Sequence, residues 1–307
     1  MLTSEQIAVS IVRDALGGNE PITPQNIADV AYRLGRCKQD HRAMTLLCTY
    51  FLMAVKNFNS VFAENGERAV LTRLAVFNPR VIFDVGANVG EWSSLAIAEM
   101  PGVHVHSFEI ISKTFEELKR NLFGHSQVSL NNFGLFSRED EIQMNVYNAS
   151  DTFSSFVDYP HGAHRKETCQ VRTGDSYARA QGIAAIDFLK IDVEGAEFDI
   201  LQGFSDMLDR GAITAIQFEY GRVNIMTHKL LYDFYNLLEN KGYAVGKIYP
   251  DYVDFRAYAL DDEDFLGPNY LACHRSRSDI IAALAKRGSD SECESPVNKL
   301  SQKIAPL

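Results

Sequence analysis

Val81-Ile-Phe-Asp-Val-Gly-Ala-Asn-Val-Gly90 joins an apolar strand to a glycine turn and then to a helix. Val81, Ile82, Phe83 and Val85 make a continuous apolar run, the pattern of a strand covered on both faces. Gly86 and Gly90 permit a tight turn and close approach of the backbone to a ligand. The helix that begins near Glu91 would aim its unpaired N–H groups at a crevice on the carboxyl edge of a parallel sheet.

Such a turn can serve a dinucleotide or S-adenosylmethionine, and the spacing separates the two. A dehydrogenase fingerprint needs glycine at 86, 88 and 91. Asn88 and Glu91 break it. Asp84 would repel a pyrophosphate, yet it can hold an ammonium group directly or through water. S-adenosylmethionine carries a sulfonium and an ammonium and no phosphate, so the ligand chemistry favours the methyl donor. Val103-His-Val-His-Ser-Phe-Glu109 is a second strand, ending in an acid 23 residues beyond Gly86. A carboxylate at that tip can accept hydrogen bonds from both ribose hydroxyls. The alternative for Glu109 is a charge at the start of a helix near Ser112 and Lys113.

About a hundred residues further on, Asp187-Phe-Leu-Lys-Ile-Asp-Val-Glu-Gly-Ala-Glu197 reads as a fourth strand over 188–192 and a helix over about 195–201. This run follows Asp84-Val-Gly-Ala-Asn-Val-Gly90, Phe108-Glu109, Ser154-Ser155 and Thr173-Gly-Asp-Ser176 in order. With these residues the chain resembles the FkbM family of S-adenosylmethionine-dependent methyltransferases over roughly 80–275. The resemblance implies a class I methyltransferase fold: a Rossmann-like α/β sheet of seven mostly parallel strands, the last antiparallel. It also implies O-methylation of sugars or natural products. By position, Asp84, Gly86, Ala87, Asn88 and Gly90 would line the methionine end of the cofactor. Glu109 would take the ribose, residues 132–135 would lie near the adenine, and Asp192 would touch the cofactor beside the methyl-transfer centre.

Methyl transfer is an in-line displacement at a cationic sulfonium, so the enzyme mainly positions the acceptor oxygen and removes its proton. Lys190, Asp192 and Glu194 share one side of the strand by the period-two rule, provided the strand lasts that far. Asp192 can be the base, orient the acceptor hydroxyl, or ligate a divalent cation. A Lys–carboxylate pair closing the strand end is the structural alternative. Lys190 and Glu194 are candidate substrate-binding residues. So are Glu219 and Tyr220, at the end of a fifth strand over 215–219. His161 and His164, in a polar loop, are alternative bases. No His/Cys cluster marks a metal site. Carboxylates 192, 194 and 219 can meet around Mg²⁺, Asp192 and Glu219 foremost, as a reading secondary to the metal-free one.

The sequence thus predicts an S-adenosylmethionine-dependent O-methyltransferase that releases S-adenosylhomocysteine. Its acceptor would be a hydroxyl of a sugar, glycan, glycolipid or polyketide-like product. The rivals are a non-catalytic binding module of the same fold and a nucleotide-dependent oxidoreductase.

A length of 307 residues allows one large domain plus a smaller helical part. The expected division is a helical cap or dimerisation region over 1–77, a cofactor-binding domain over 78–276, and a helix with a disordered tail over 277–307. A formal charge of −10 disfavours extended contact with nucleic acid. Cys37, Cys48, Cys169, Cys273 and Cys293 show no paired spacing and read as reduced thiols of a cytoplasmic protein. The N-terminus lacks the pattern of a signal peptide. The apolar run 43–55 falls short of the roughly 20 residues a membrane span requires and reads as a buried helix.

Thr3 and Gln6 form a capping box ahead of a first helix, which Gly17-Gly18 ends. Thr23-Pro24 opens a second helix with Ile27, Val30, Ala31 and Leu34 on its apolar stripe. Asp40 would cap the 43–55 helix, and a fourth helix spans about 67–77. These helices would form a lid, a homodimer arm, or a packed extension of the sheet. Residues 22–36 slightly resemble a helix-turn-helix element, which the charge balance argues against. Further on, 128–135 reads as strand three, 142–147 and 170–173 as an added strand pair, and 227–241 as a helix. A terminal hairpin covers 243–249 and 269–274. The acidic loop from Asp251 to Asp264 reads as a solvated surface.

Overall fold

The computed structural model describes residues 24–36, 41–147, 154–158 and 164–287. The capping box at Thr3 and Gln6, the Gly17-Gly18 stop, Asp40, His161 and the tail beyond 287 lie outside the described residues, as does the side chain of His164. The chain divides into two compact units, Met1–Leu52 and Met53–Leu307.

In the first unit, α1 (Pro24–Arg36) begins on Pro24, whose fixed φ and missing N–H suit a first helical position. Helix α2 (Arg42–Val55) follows, its last three residues falling in the second unit. It is not the buried helix that its apolar composition predicts: Leu46, Leu47, Tyr50 and Phe51 are each more than half exposed. Apolar content reports a helix here, but it does not report what covers one.

The second unit alternates strands and helices. In order they are α3 (Glu67–Ala75), β1 (Val81–Val85), α4 (Glu91–Glu99), β2 (His104–Phe108), α5 (Ser112–Asn121), β3 (Val128–Asn131), β4 (Gly134–Leu135), β5 (Asp140–Tyr147), β6 (Ser154–Ser155), β7 (His164–Arg172), α6 (Gly174–Ala180) and β8 (Ile186–Ile191). Then come α7 (Glu197–Gln202), α8 (Ser205–Asp209), β9 (Ile213–Glu219), α9 (Val223–Thr227), α10 (Leu231–Asn240), β10 (Tyr243–Ile248), β11 (Val253–Phe255), β12 (Asn269–His274) and α11 (Ser278–Ala285).

The main sheet runs β11-β10-β12-β9-β8-β1-β2-β3. Strands β3, β2, β1, β8 and β9 are parallel, and β12 is antiparallel to both β9 and β10. This is the seven-strand class I methyltransferase arrangement, with its antiparallel last strand set inside the edge. Strand β11 is an eighth that the sequence does not announce, paired antiparallel to β10. Alternate residues feed two cores. Ile82, Phe188, Ala215 and Leu271 meet Leu71 of α3, Trp92 of α4 and Ile280 of α11. Phe83, Leu189, Ile216 and Ala272 meet Tyr177, Leu201 and Phe234 of α6, α7 and α10. Helical layers on both faces explain why the parallel strands read as unbroken apolar runs.

Other expectations are corrected in detail. Strand three ends at Asn131, and Gly134–Leu135 leaves it to join a second sheet of order β4-β7-β5-β6. The added pair is therefore a four-stranded sheet, with β5 and β7 paired from Asp140–Val171 to Tyr147–His164. The 227–241 helix is interrupted, since His228 takes a left-handed φ of 57° between α9 and α10. Among the described residues, no helix is long and apolar enough to cross a membrane.

Candidate active site

The carboxyl edge of the main sheet opens into a cavity of about 360 Å³ between the ends of β1, β2 and β8 and the inner side of the second sheet. Its floor is the glycine turn. Gly86 (φ 86°) donates its N–H to the Phe108 carbonyl at 3.0 Å, and Ala87 donates to the same oxygen at 2.9 Å. A Cβ on Gly86 would stand 1.8 Å from the Asp192 carbonyl oxygen, so the turn packs directly against the end of β8. Asn88, at φ 47°, then points its N–H at Glu109 Oε2, 3.0 Å away.

Glu109 occupies the tip of β2, only 6 % exposed, and lines the cavity. Its other oxygen, Oε1, accepts the Ile111 N–H at 2.8 Å, just ahead of α5. The same carboxylate therefore braces the helix start and faces the crevice. Burial pushes its carboxyl up to about 7, against the pull of the two N–H donors. Each oxygen has spent one of its two acceptor positions, which leaves two free.

Asp84 is placed differently from expectation. Its side chain is fully buried and outside the cavity wall, with Oδ2 accepting from Ser93 Oγ at 2.6 Å. Burial raises its carboxyl, opposed by Lys190 and by the Ser93 hydrogen bond. Lys190 Nζ lies 2.9 Å from Asp192 Oδ2 and 3.9 Å from Asp84 Oδ1, and 5.7 Å from the centre of the Trp92 ring. Burial would lower the Lys190 ammonium, but Asp192 and Asp84 overcome that and raise it. Asp84 Oδ1, Asn88 Oδ1 and Trp92 Nε1 are buried without a hydrogen-bond partner.

The strand-four run does not continue as a strand past Ile191, so the period-two argument for Lys190, Asp192 and Glu194 fails beyond that point. What replaces it is a turn. Glu194 takes φ 57° and Gly195 φ 121°, and Glu197 reaches back to accept the N–H groups of Val193 and Gly195. Ser155 Oγ of the second sheet donates to the Glu194 carbonyl at 2.6 Å. The turn still brings the acids together: one oxygen from each of Asp192, Glu194 and Glu219 lies within 4.8 Å of the others. Burial, then Asp192 and Glu197, push the Glu194 carboxyl up to about 8. Burial, then Asp192 and Glu194, raise that of Glu219 well above its ordinary value.

Asp192, Glu194 and Lys190 line the cavity, as do Gly86, Ala87 and Asn88. Gly90 instead sets the start of α4, at φ 92°. Gly134 and Leu135, from the segment expected near the adenine, line the cavity beside apolar Ile142, Met144 and Phe156. Tyr220 does not reach it. Its ring is fully buried, and its hydroxyl donates to Glu263 Oε2 at 2.6 Å.

Ser60, Phe62, Glu67 and Trp92 also line the cavity, outside the motifs that mark the site in the sequence. Trp92, the single tryptophan, follows the glycine turn by two residues and was the one legible signal. Glu67 reads only as a helix start.

Residues 84–245 match the Methyltransferase FkbM domain. The chain is 33 % identical over 158 residues to the 31-O-demethyl-FK506 methyltransferase FkbM of Streptomyces tacrolimicus, covering 41 % of this chain and 60 % of that one. It therefore spans less than two thirds of that relative's length. It is 27 % identical over 205 residues to Methyltransferase 1 of Beauveria bassiana, covering 58 % and 79 %. Among solved structures it is similar to the plantazolicin methyltransferase BpumL in complex with SAH, at a TM-score of 0.40 and 11 % identity, covering 73 % of this chain and 89 % of that one.

Proposed function

The chain belongs to the FkbM methyltransferase family, and from that premise we propose that its cavity binds S-adenosylmethionine and that the protein methylates a hydroxyl of a sugar, glycan, glycolipid or polyketide-like product. One observation carries this reading: Glu109 and the Gly86–Asn88 turn face the same cavity, bonded to each other, with acceptor positions left on the carboxylate. Those acceptor positions suit the hydroxyls of a diol, and the carboxylate would repel a pyrophosphate. The unpartnered Asn88 Oδ1 and Trp92 Nε1 add polar capacity at the same wall.

When bound, S-adenosylmethionine supplies a methyl group on a cationic sulfonium. Everything else falls to the protein. Asp192, half exposed and steadied by Lys190, orients the acceptor hydroxyl and accepts its proton. Glu194, pushed up to about 8, carries a proton at neutral pH and serves as a hydrogen-bond donor rather than a base, and burial raises the carboxyl of its neighbour Glu219 as well. Apolar Ile142, Met144 and Phe156 exclude water from the far wall.

Calorimetric titration with S-adenosylmethionine and S-adenosylhomocysteine tests the cofactor. Binding is expected, weakened about tenfold or more in Glu109→Ala. No binding by the folded protein overturns the reading. For the base, Asp192→Asn should keep cofactor affinity and lower turnover by roughly 10²–10⁴. Glu194→Gln, which mimics the protonated acid, should cost far less. An unchanged rate in Asp192→Asn removes it from proton transfer.

The close approach of the three carboxylate oxygens favours a second reading, in which Mg²⁺ polarises the acceptor oxygen. Lys190 already supplies positive charge to Asp192, which favours the metal-free version. Turnover stimulated by Mg²⁺ and abolished by EDTA would reverse that preference.

A further inference from the structure

Glu67 opens α3, ahead of the residues that match the family, yet its side chain is buried in the wall of the cavity. The placement is firmly fixed. Asn57 Nδ2 ties the preceding segment to the Asn65 and Ile248 carbonyls at 2.8 and 3.0 Å. Gly66 sits so close to the Tyr249 carbonyl that a Cβ would stand 2.1 Å from its oxygen.

Three amides from three elements converge on the Glu67 carboxylate. Asn65 Nδ2 and Asn269 Nδ2 donate to Oε1 at 2.7 and 3.2 Å, and Gln217 Nε2 donates to Oε2 at 2.7 Å. A carboxylate offers about four acceptor positions, so one remains on Oε2. Gln217, itself 1 % exposed, leaves its own Oε1 without any donor. Turning that amide over does not help, because it would set oxygen against Glu67 Oε2 and Asn269 Oδ1. Among the described residues this cluster is short of a donor. Positive charge is shared thinly there too, since Lys190 faces Asp192, Asp84 and Glu67 at once.

Position identifies what would supply both. Glu109 marks the tip of β2, and Lys190 lies on β8, two strands away across β1. That separation is about 10 Å. Glu67 bonds to Gln217, the register partner of Lys190 on β9. With a ribose at Glu109, a methionine arm reaching across the glycine turn would come toward Lys190 and Glu67. Asp84, sealed under Ser93, is not exposed to meet it.

We propose that Glu67, held by Asn65, Gln217 and Asn269, receives the α-ammonium group of the cofactor's methionine moiety. The assignment rests on the S-adenosylmethionine reading above. It makes the segment ahead of the family-matched region part of the cofactor site.

The test compares three probes on the full chain by calorimetry: S-adenosylhomocysteine, its deaminated analogue S-adenosyl-4-thiobutyrate, and 5′-methylthioadenosine, which lacks the amino-acid arm. The unaltered protein should bind S-adenosylhomocysteine about tenfold or more tighter than the deaminated analogue. Glu67→Gln should erase that preference while leaving methylthioadenosine affinity unchanged. Equal affinity of the unaltered protein for the first two probes overturns the assignment without any variant. So does a Glu67→Gln protein that keeps the preference. If none of the probes binds the unaltered protein, the cofactor reading itself falls and takes the assignment with it.

Discussion

Glu109 braces a helix start and faces the cavity with the same carboxylate. Its carboxyl is raised to about 7 by burial, above the 4.5 of an exposed glutamate. The folded protein therefore holds this proton more tightly than the unfolded chain between those values. Its contribution to stability is greatest below pH 4.5 and is lost as pH rises toward 7, by on the order of 1–3 kcal/mol. Hydroxyl donors from a ribose favour the ionised form, so S-adenosylhomocysteine should bind more tightly over the same interval. Melting temperatures measured with and without ligand should diverge as pH rises from 5 to 7.5, and a constant gap would rule out Glu109 as the ribose partner. At Gly86 the constraint is steric. Gly86→Ala sets a Cβ against the Asp192 carbonyl at a positive φ, and a loss of about 3 kcal/mol or more is expected in denaturant unfolding. These two residues were legible because glycine turns and acid-tipped strands are local patterns. Glu67 was not, since its partners Gln217 and Asn269 lie 150 and 202 residues away.

At the scale of elements, the acidic loop between β11 and β12 illustrates what a charge run conceals. Sequence alone gives it the appearance of a solvated surface, because like charges rarely cluster inside. In the fold, Glu263 accepts the N–H groups of Leu231 and Tyr232 at the start of α10, and the hydroxyls of Tyr220 and Tyr258. Asp262 pairs with Arg256, and Asp264 lies 2.9 Å from Lys56. The loop thus fastens a helix N-terminus to the sheet, where a negative charge is favourable. Glu263→Ala should cost about 2 kcal/mol or more by leaving buried donors unpaired. Asp261→Ala, at an exposed neighbour, should stay within about 0.5 kcal/mol. Equal losses for the two would return the loop to its surface reading. The second sheet was half legible for a related reason. Alternation marks β5 and β7, but two-residue strands such as β4 and β6 have no period to read.

For the whole molecule, alternating strands and helices with unbroken apolar strands dictate a parallel sheet covered on both faces, and the sheet order follows that logic as far as β9. The cavity wall crosses the boundary expected at residue 77. Residues 56–67 tie themselves to the sheet edge through Lys56–Asp264 and Asn57–Ile248, and they deliver Ser60, Phe62 and Glu67 to the cavity. Among the described residues, none that lines the cavity precedes Ser60. A chain beginning at Met53 should therefore fold and bind S-adenosylhomocysteine within about twofold of the full-length affinity. One beginning at residue 78 should lose both the Glu67 cluster and the core contacts of Leu71 and Leu74, and should unfold or fail to bind. Titration of the two truncations side by side separates the alternatives. Weak binding by the longer one would make the first 52 residues part of the cofactor site, and tight binding by the shorter one would make Glu67 dispensable.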